Sequence, residues 1–163
     1  MLIGILSDTH DRLAPTVAAV RTLRAAGAEY LLHCGDVGSE QIIDQLAGDV
    51  PAVFVWGNND FDRAGLARYA TALGVTCGNV LAELTLGGKQ IAVTHGDYPA
   101  TVRKILEGQQ HDYLLVGHTH VKADDRVGRT RVINPGALHR AAQKTVAVLD
   151  TAADQLRFLV VAA

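Results

Sequence analysis

Short apolar runs alternate with polar breaks along this chain, and the breaks carry most of its chemistry. Leu2 to Leu6 has no polar interruption, the pattern of a strand buried on both faces. The polar loop Ser7-Asp8-Thr9-His10-Asp11-Arg12 follows it. From about Ala14 to Ala26, the spacing of Val17, Val20 and Leu23 predicts a helix with Pro15 in its first turn and Gly27 as its stop. Tyr30 to Cys34 predicts a second strand. Ser39 is then placed to cap a helix through about Ala47, whose inner side is Ile42, Ile43 and Leu46. Ala52 to Trp56 predicts a third strand, and Arg63 to Leu73 a helix. Strands alternating with helices imply right-handed βαβ units and a parallel sheet.

The rhythm then changes. Leu81 to Leu86 and Gln90 to Thr94 are apolar stretches joined across Gly87-Gly88-Lys89, which predicts a hairpin. A short helix from Thr101 to Glu107 leads to a strand at Tyr113-Leu114-Leu115-Val116. Lys122–Val127, Thr130–Ile133, Thr145–Asp150 and Gln155–Val161 predict antiparallel strands, with turns at Gly128-Arg129 and Ala152-Ala153-Asp154. Asn134-Pro135-Gly136-Ala137 is a further turn signal. No repeat, low-complexity tract or linker divides the chain, so one domain over residues 1–163 is expected.

Composition narrows the class. An apolar content of 48% with 20% charged residues suits a folded globular chain rather than a disordered one. The formal net charge of −2 gives no overall pull toward nucleic acid or anionic lipid. Cys34 and Cys77 are too few and too far apart for a disulfide framework or a thiolate zinc site. No run approaches the ~20 apolar residues needed to span a bilayer. The N-terminal apolar run lacks a basic flank and is broken at Ser7-Asp8, so the expected location is the cytoplasm.

The candidate chemistry centres on Gly117-His118-Thr119-His120, at the end of a predicted strand. Residues two apart in extended backbone point to one side, so both imidazoles can aim at one small volume. Similar residues follow four other predicted strands: Asp8 and His10, Asp36, Asn58, and His95. Ligands of parallel α/β sheets bind at the carboxyl ends of strands, so these positions form one proposed metal site. Seven such ligands exceed one tetrahedral centre and favour two divalent cations sharing a carboxylate. Imidazole, carboxylate and amide donors without thiolate suit Mn, with Ni, Fe, Co or Zn as alternatives. Such a pair acidifies a bound water into a hydroxide nucleophile and neutralises phosphoryl oxygens.

The order Asp8-x-His10, Gly35-Asp36, Gly57-Asn58, His95-Gly96, Gly117-His118-x-His120 resembles the calcineurin-like metallophosphoesterases, and most nearly their small bacterial and archaeal phosphodiesterases. The resemblance extends to Asn134-Pro135-Gly136 and implies a four-layer α/β/β/α sandwich with mixed sheets. It implies that Asp8, His10, Asp36 and His120 hold one metal, that Asp36 bridges, and that Asn58, His95 and His118 hold the second. Asp36, Asn58, Asn59 and His95 are the expected catalytic residues, acting on a small phosphate ester. Two positions depart from the pattern. Asn59 stands where many relatives carry a histidine that protonates the leaving group, and Asp97 replaces the second histidine of a His-Gly-His. An amide cannot act as a general acid, so turnover is expected to favour activated diesters.

Two other readings compete. The retromer subunit of the same superfamily is a metal-binding interaction scaffold, and the repair nucleases act on DNA. The complete ligand set opposes the first; net charge and length oppose the second. A homo-oligomer is compatible with the sequence. Among the remaining residues, His33 is expected to be buried and hydrogen-bonded, Cys34 packed, and His111 solvent-exposed. Arg12, His139 and Arg140 are candidates to reach substrate. Asp60 either orients Asn59 or caps the next helix.

Overall fold

The computed structural model describes residues 1–162. Its first half winds through β1 (Leu2–Leu6), α1 (Leu13–Ala25), β2 (Tyr30–His33), α2 (Glu40–Leu46), β3 (Ala52–Phe54), α3 (Arg63–Ala72) and β4 (Thr76–Cys77). These four strands are parallel and adjacent in chain order. The second sheet is built from β5 (Leu81–Leu86), β6 (Lys89–Thr94), β7 (Tyr113–Leu115), β8 (Ala123–Val127) and β9 (Thr130–Asn134), with α4 (Pro99–Gly108) crossing between β6 and β7. The chain then returns. β10 (Thr145–Asp150) lies antiparallel beside β1 and carries β11 (Gln155–Val160) on the outer edge of the first sheet.

Alternation along the strands makes the layers. Leu31 and Phe54 face α1–α3, in a core with Val20, Leu23, Ile42 and Leu46. Their neighbours Leu32 and Val53 turn inward, against Ile91, Val93, Leu115 and Ile133 of the other sheet. Ala92 and Leu114 face outward and are covered by Ile105 of α4. Each sheet is therefore apolar on both faces, as a four-layer α/β/β/α sandwich requires.

Several expectations need adjustment. Cys34, Val55, Trp56 and Val116 lie just beyond their strands. Even so, Cys34 N–H donates to Leu6, Val55 N–H to His33, and Val116 N–H to Ile133. β9 is antiparallel to β8 but parallel to β7, because β8 lies in the connection between β7 and β9. β4 is too short, at two residues, to leave a hydrophobic pattern. Ser39 precedes α2 without capping it by side chain, and its hydroxyl donates to Asp11 instead. At the end of the sandwich away from the C-termini of the parallel strands, Arg131 joins the sheets. It pairs with Asp124 at 2.7 Å and, across the layer, with Asp154 of the β10–β11 turn at 2.7 Å.

Phe54 is fully buried and meets Trp56 edge-on at 4.8 Å between ring centroids, whereas Phe61 is 86% exposed. Phe54→Ala should destabilise the protein by about 3–5 kcal/mol in urea titrations. Phe61→Ala should stay within about 0.5 kcal/mol. Equal effects of the two would contradict the layer assignment.

Candidate metal centre

Five loops meet where β1, β2, β3, β6 and β7 end. Five of the residues they present, Asp8, His10, Asp36, His118 and His120, have positive φ, from 43° at His10 to 69° at His118. Side chains other than glycine adopt this region at a cost of roughly 1–2 kcal/mol each, so the surroundings must hold them there. Backbone hydrogen bonds lace the loops together: Asp8 N–H to Gly35, His10 N–H to Asp36 and Gly117 N–H to His95, each at 3.0 Å.

The glycines that precede three of the predicted ligands make room for ligands from other loops. A Cβ on Gly57 would overlap the carboxylate of Asp36, and one on Gly117 would overlap the Ser7 hydroxyl and lie 2.7 Å from Asp8 Oδ2. At Gly35 it would come within 2.7 Å of His95 Nδ1. The motifs Gly35-Asp36, Gly57-Asn58 and Gly117-His118 therefore interlock.

Asp8 is held on one oxygen and left open on the other, whereas both Asp36 oxygens accept hydrogen bonds. Asp8 Oδ2 accepts from the Ser7 hydroxyl at 2.6 Å and from His118 N–H at 3.1 Å. Its Oδ1 has no hydrogen-bond partner among the described residues and faces His120 Nε2 at 3.1 Å, His10 at 3.7 Å and His95 at 4.0 Å. Asp36 accepts from the Asn59 backbone and side-chain N–H groups, both at 2.8 Å. Its Oδ2 lies 3.3 Å from His10 Nε2 and 3.3 Å from His95 Nε2. Burial alone would raise both carboxyls. The adjacent His95 imidazole and the Asn59 hydrogen bonds instead hold Asp36 far below the usual carboxylate range, and His10 and Ser7 lower Asp8.

His95 is fully buried, and its Nδ1–H donates to the Cys34 carbonyl at 2.8 Å. That bond leaves Nε2 facing the carboxylates, and it too lacks a hydrogen-bond partner among the described residues. Burial would lower this imidazole, but Asp36 and Asp8 raise it above its ordinary value. His10 and His120 bring their Nε2 atoms to 3.4 Å of each other. The ligand atoms of Asp8, His10 and His120 lie within 4.8 Å of one another, as do those of Asp8, Asp36 and His95. Unpaired buried donor atoms of carboxylate and imidazole type, converging from several loops, fit divalent transition-metal ions.

Asn58 and His118 are exposed at the rim; the His118 ring meets the His95 ring at 5.1 Å. With Asn59 they line the same pocket as His10, Asp36 and His120. Asp97, beside His95, is half-buried.

Supporting residues are clearer in the structure than in the sequence. Asp60 neither orients Asn59 nor caps α3. Its carboxylate accepts N–H groups of Asp36, Gly38 and Gly57 at 2.8–3.1 Å, joining two ligand loops, while Asp62 caps α3. Arg63 donates to the Gly57 and Asp60 carbonyls. Asn134 donates to the Gly117 carbonyl at 2.8 Å and supports the His118–His120 loop. His33 accepts from Gly35 N–H, and its other ring nitrogen meets Thr9 Oγ1 at 3.0 Å, tying the β1 and β2 loops together. Cys34 is packed, as expected. His111 is not solvent-exposed: only 12% of its side chain is accessible, and it pairs with Glu83 at 2.9 Å.

Two outcomes test this arrangement. Gly57→Ala should displace Asp36 and weaken metal binding by ~10–100-fold in calorimetry while leaving far-ultraviolet circular dichroism unchanged; wild-type binding would contradict it. Burial holds His33 neutral and depresses its pKa from 6.5 to about 4. The unfolded state then binds the extra proton, so stability is fully present above pH 6.5 and falls as pH drops from 6.5 toward about 4. Chelator-treated His33→Asn should show a shallower loss over that window than the wild type in urea titrations.

The fold has known counterparts. Residues 1–154 match the calcineurin-like phosphoesterase superfamily domain. The chain is 27% identical to phosphodiesterase MJ0936 of Methanocaldococcus jannaschii, over 98% of this chain and 99% of that one. It is 33% identical to a probable metallophosphoesterase of the same organism, MJ0623, covering 84% of this chain and 68% of the relative. A solved archaeal phosphodiesterase superposes with a TM-score of 0.91 at 27% identity, covering 99% of this chain and all of that one. Vps29 of Entamoeba histolytica in complex with zinc shares the fold, with a TM-score of 0.66 at 19% identity, over 99% of this chain and 98% of that one. The chain belongs to the calcineurin-like phosphoesterase superfamily.

Proposed function

We propose that this protein is a phosphodiesterase that uses two divalent transition-metal ions, with Mn favoured and Ni, Fe, Co or Zn as alternatives. The observation that carries the reading is the position of Asp36 Oδ2, equidistant at 3.3 Å from His10 and His95. A carboxylate oxygen placed between two imidazoles is suited to bridging. Asp8, His10, Asp36 and His120 would hold one cation, and Asp36, Asn58, His95 and His118 the other. The archaeal relative at 27% identity is a phosphodiesterase, which supports the same reaction class. Bound there, such a pair would supply an acidified water as nucleophile and would offset charge on the phosphoryl oxygens.

The chain's own residues orient and limit that chemistry. The Cys34 carbonyl keeps the His95 proton on Nδ1, so Nε2 remains a lone-pair donor. Asn59 grips Asp36 through both its N–H groups. Its amide has no acidic proton to give, so the leaving group departs without help from this position. Activated diesters are therefore the favoured substrates. With a net charge of −2, we read the substrate as a small phosphate ester rather than nucleic acid, and the protein as a single cytoplasmic domain over 1–163. Among the described residues, no helix is long and apolar enough to cross a membrane.

A second reading, a metal-binding scaffold without turnover, is favoured by the fold shared with Vps29. Assays with Mn²⁺ against chelator separate the two, since a metal-loaded but inert protein supports the scaffold. The phosphodiesterase should cleave aryl diesters far faster than alkyl diesters. Asn59→His should raise the ratio of alkyl- to aryl-diester turnover by ~10²-fold. Asn58→Ala should reduce kcat/KM by ~10-fold or more. Because imidazole ligands must lose their protons to bind metal, activity should fall on acidification. A flat rate from about pH 5 to 9 would contradict the mechanism.

A further inference from the structure

The segment after β9 brings over this centre a set of groups that the two-cation reading does not use. Ala137 and Leu138 are fully buried, and Leu138 belongs to the core beneath α1–α3, so the chain is anchored immediately before His139. Asn134 Oδ1 accepts Gly136 N–H at 2.9 Å, and the Thr145 hydroxyl donates to the Pro135 carbonyl at 2.8 Å, which fixes the turn. The His139 ring consequently packs 4.8 Å from the His10 ring and 6.5 Å from that of His120. His139 and Arg140 line the same pocket as Asp36, Asn59 and His118.

Hydrogen bonding determines what His139 offers. Arg12 Nε–H donates to His139 Nδ1 at 3.3 Å. A guanidinium only donates, so Nδ1 is the acceptor and the ring proton lies on Nε2. The ring then has no free lone pair for a cation; it presents an N–H to an anion. Arg140, exposed at the pocket edge, makes no hydrogen bond or ion pair with the described residues. Asn59 already commits one of its two amide N–H donors to Asp36.

We propose that His139 Nε2–H and the Arg140 guanidinium bind the non-bridging phosphoryl oxygens of the substrate, with Arg12 as the positioning residue that fixes the His139 tautomer. This assignment rests on the phosphodiesterase reading and names how its substrate is held. The donors grip the phosphoryl group common to diester substrate and monoester product.

The test is calorimetric titration of inorganic phosphate into the Mn²⁺-loaded protein, with aryl-phosphodiester kinetics and metal content measured on the same preparations. His139→Ala should raise the phosphate Kd and the diester KM about tenfold, with a smaller change in kcat and unchanged metal content. Arg140→Ala should do the same. His139→Gln, whose amide still donates, should recover most of the loss, and His139→Phe none. Arg12→Ala should weaken phosphate binding, and Arg12→Lys should restore it. Wild-type phosphate affinity in His139→Ala and Arg140→Ala would overturn the proposal, as would loss of metal from His139→Ala. A wild type with neither metal binding nor turnover defeats the phosphodiesterase reading itself. An active wild type with unaffected variants defeats only this assignment.

Discussion

The structure depends on keeping two carboxylates, Asp8 and Asp36, close together and buried without neutralising either. Their ligand atoms fall with that of His95 inside a 4.8 Å limit, where like charges repel strongly and burial removes the water that would screen them. N–H and O–H donors satisfy one side of each group: Ser7 and His118 for Asp8, Asn59 for Asp36. Imidazoles supply the other side. His95 carries the protein's answer to the excess negative charge, since the carboxylates draw its pKa up despite complete burial. Divalent cations at the same place would neutralise that charge.

The scaffold makes this concentration of charge tolerable. Parallel strands β1–β3 and β6–β7 bring their carboxyl ends to one rim, and apolar side chains on both faces of each sheet hold those ends in place. Asp60, Arg63, His33 and Asn134 then tie the loops to one another through backbone groups. Left-handed backbone at Asp8, His10, Asp36, His118 and His120 is strain that remains at the site.

Much of this could be read from residue order because the site repeats one local device. An apolar run, a small residue and a polar ligand recur at Gly35-Asp36, Gly57-Asn58 and Gly117-His118. The return of β10 and β11 to the first sheet left no such mark, since strand pairing over more than a hundred residues is not a local property; Leu2 pairs with Asp150. Asp60 was legible as polar but not as a link between loops, because its partners are backbone amides twenty-odd residues away. His111 reads as a loop residue, and its pairing with Glu83 depends on the packing of β5 beside the α4–β7 connection. For His139, sequence places the residue after a turn; only the buried Leu138 shows that the turn is anchored over the centre.

The most direct test of the account is anomalous diffraction at the manganese edge from crystals grown with Mn²⁺. Two peaks ~3.5–4 Å apart with the Asp36 carboxylate between them are the expected result. A single peak, or two peaks that do not share Asp36, would contradict it.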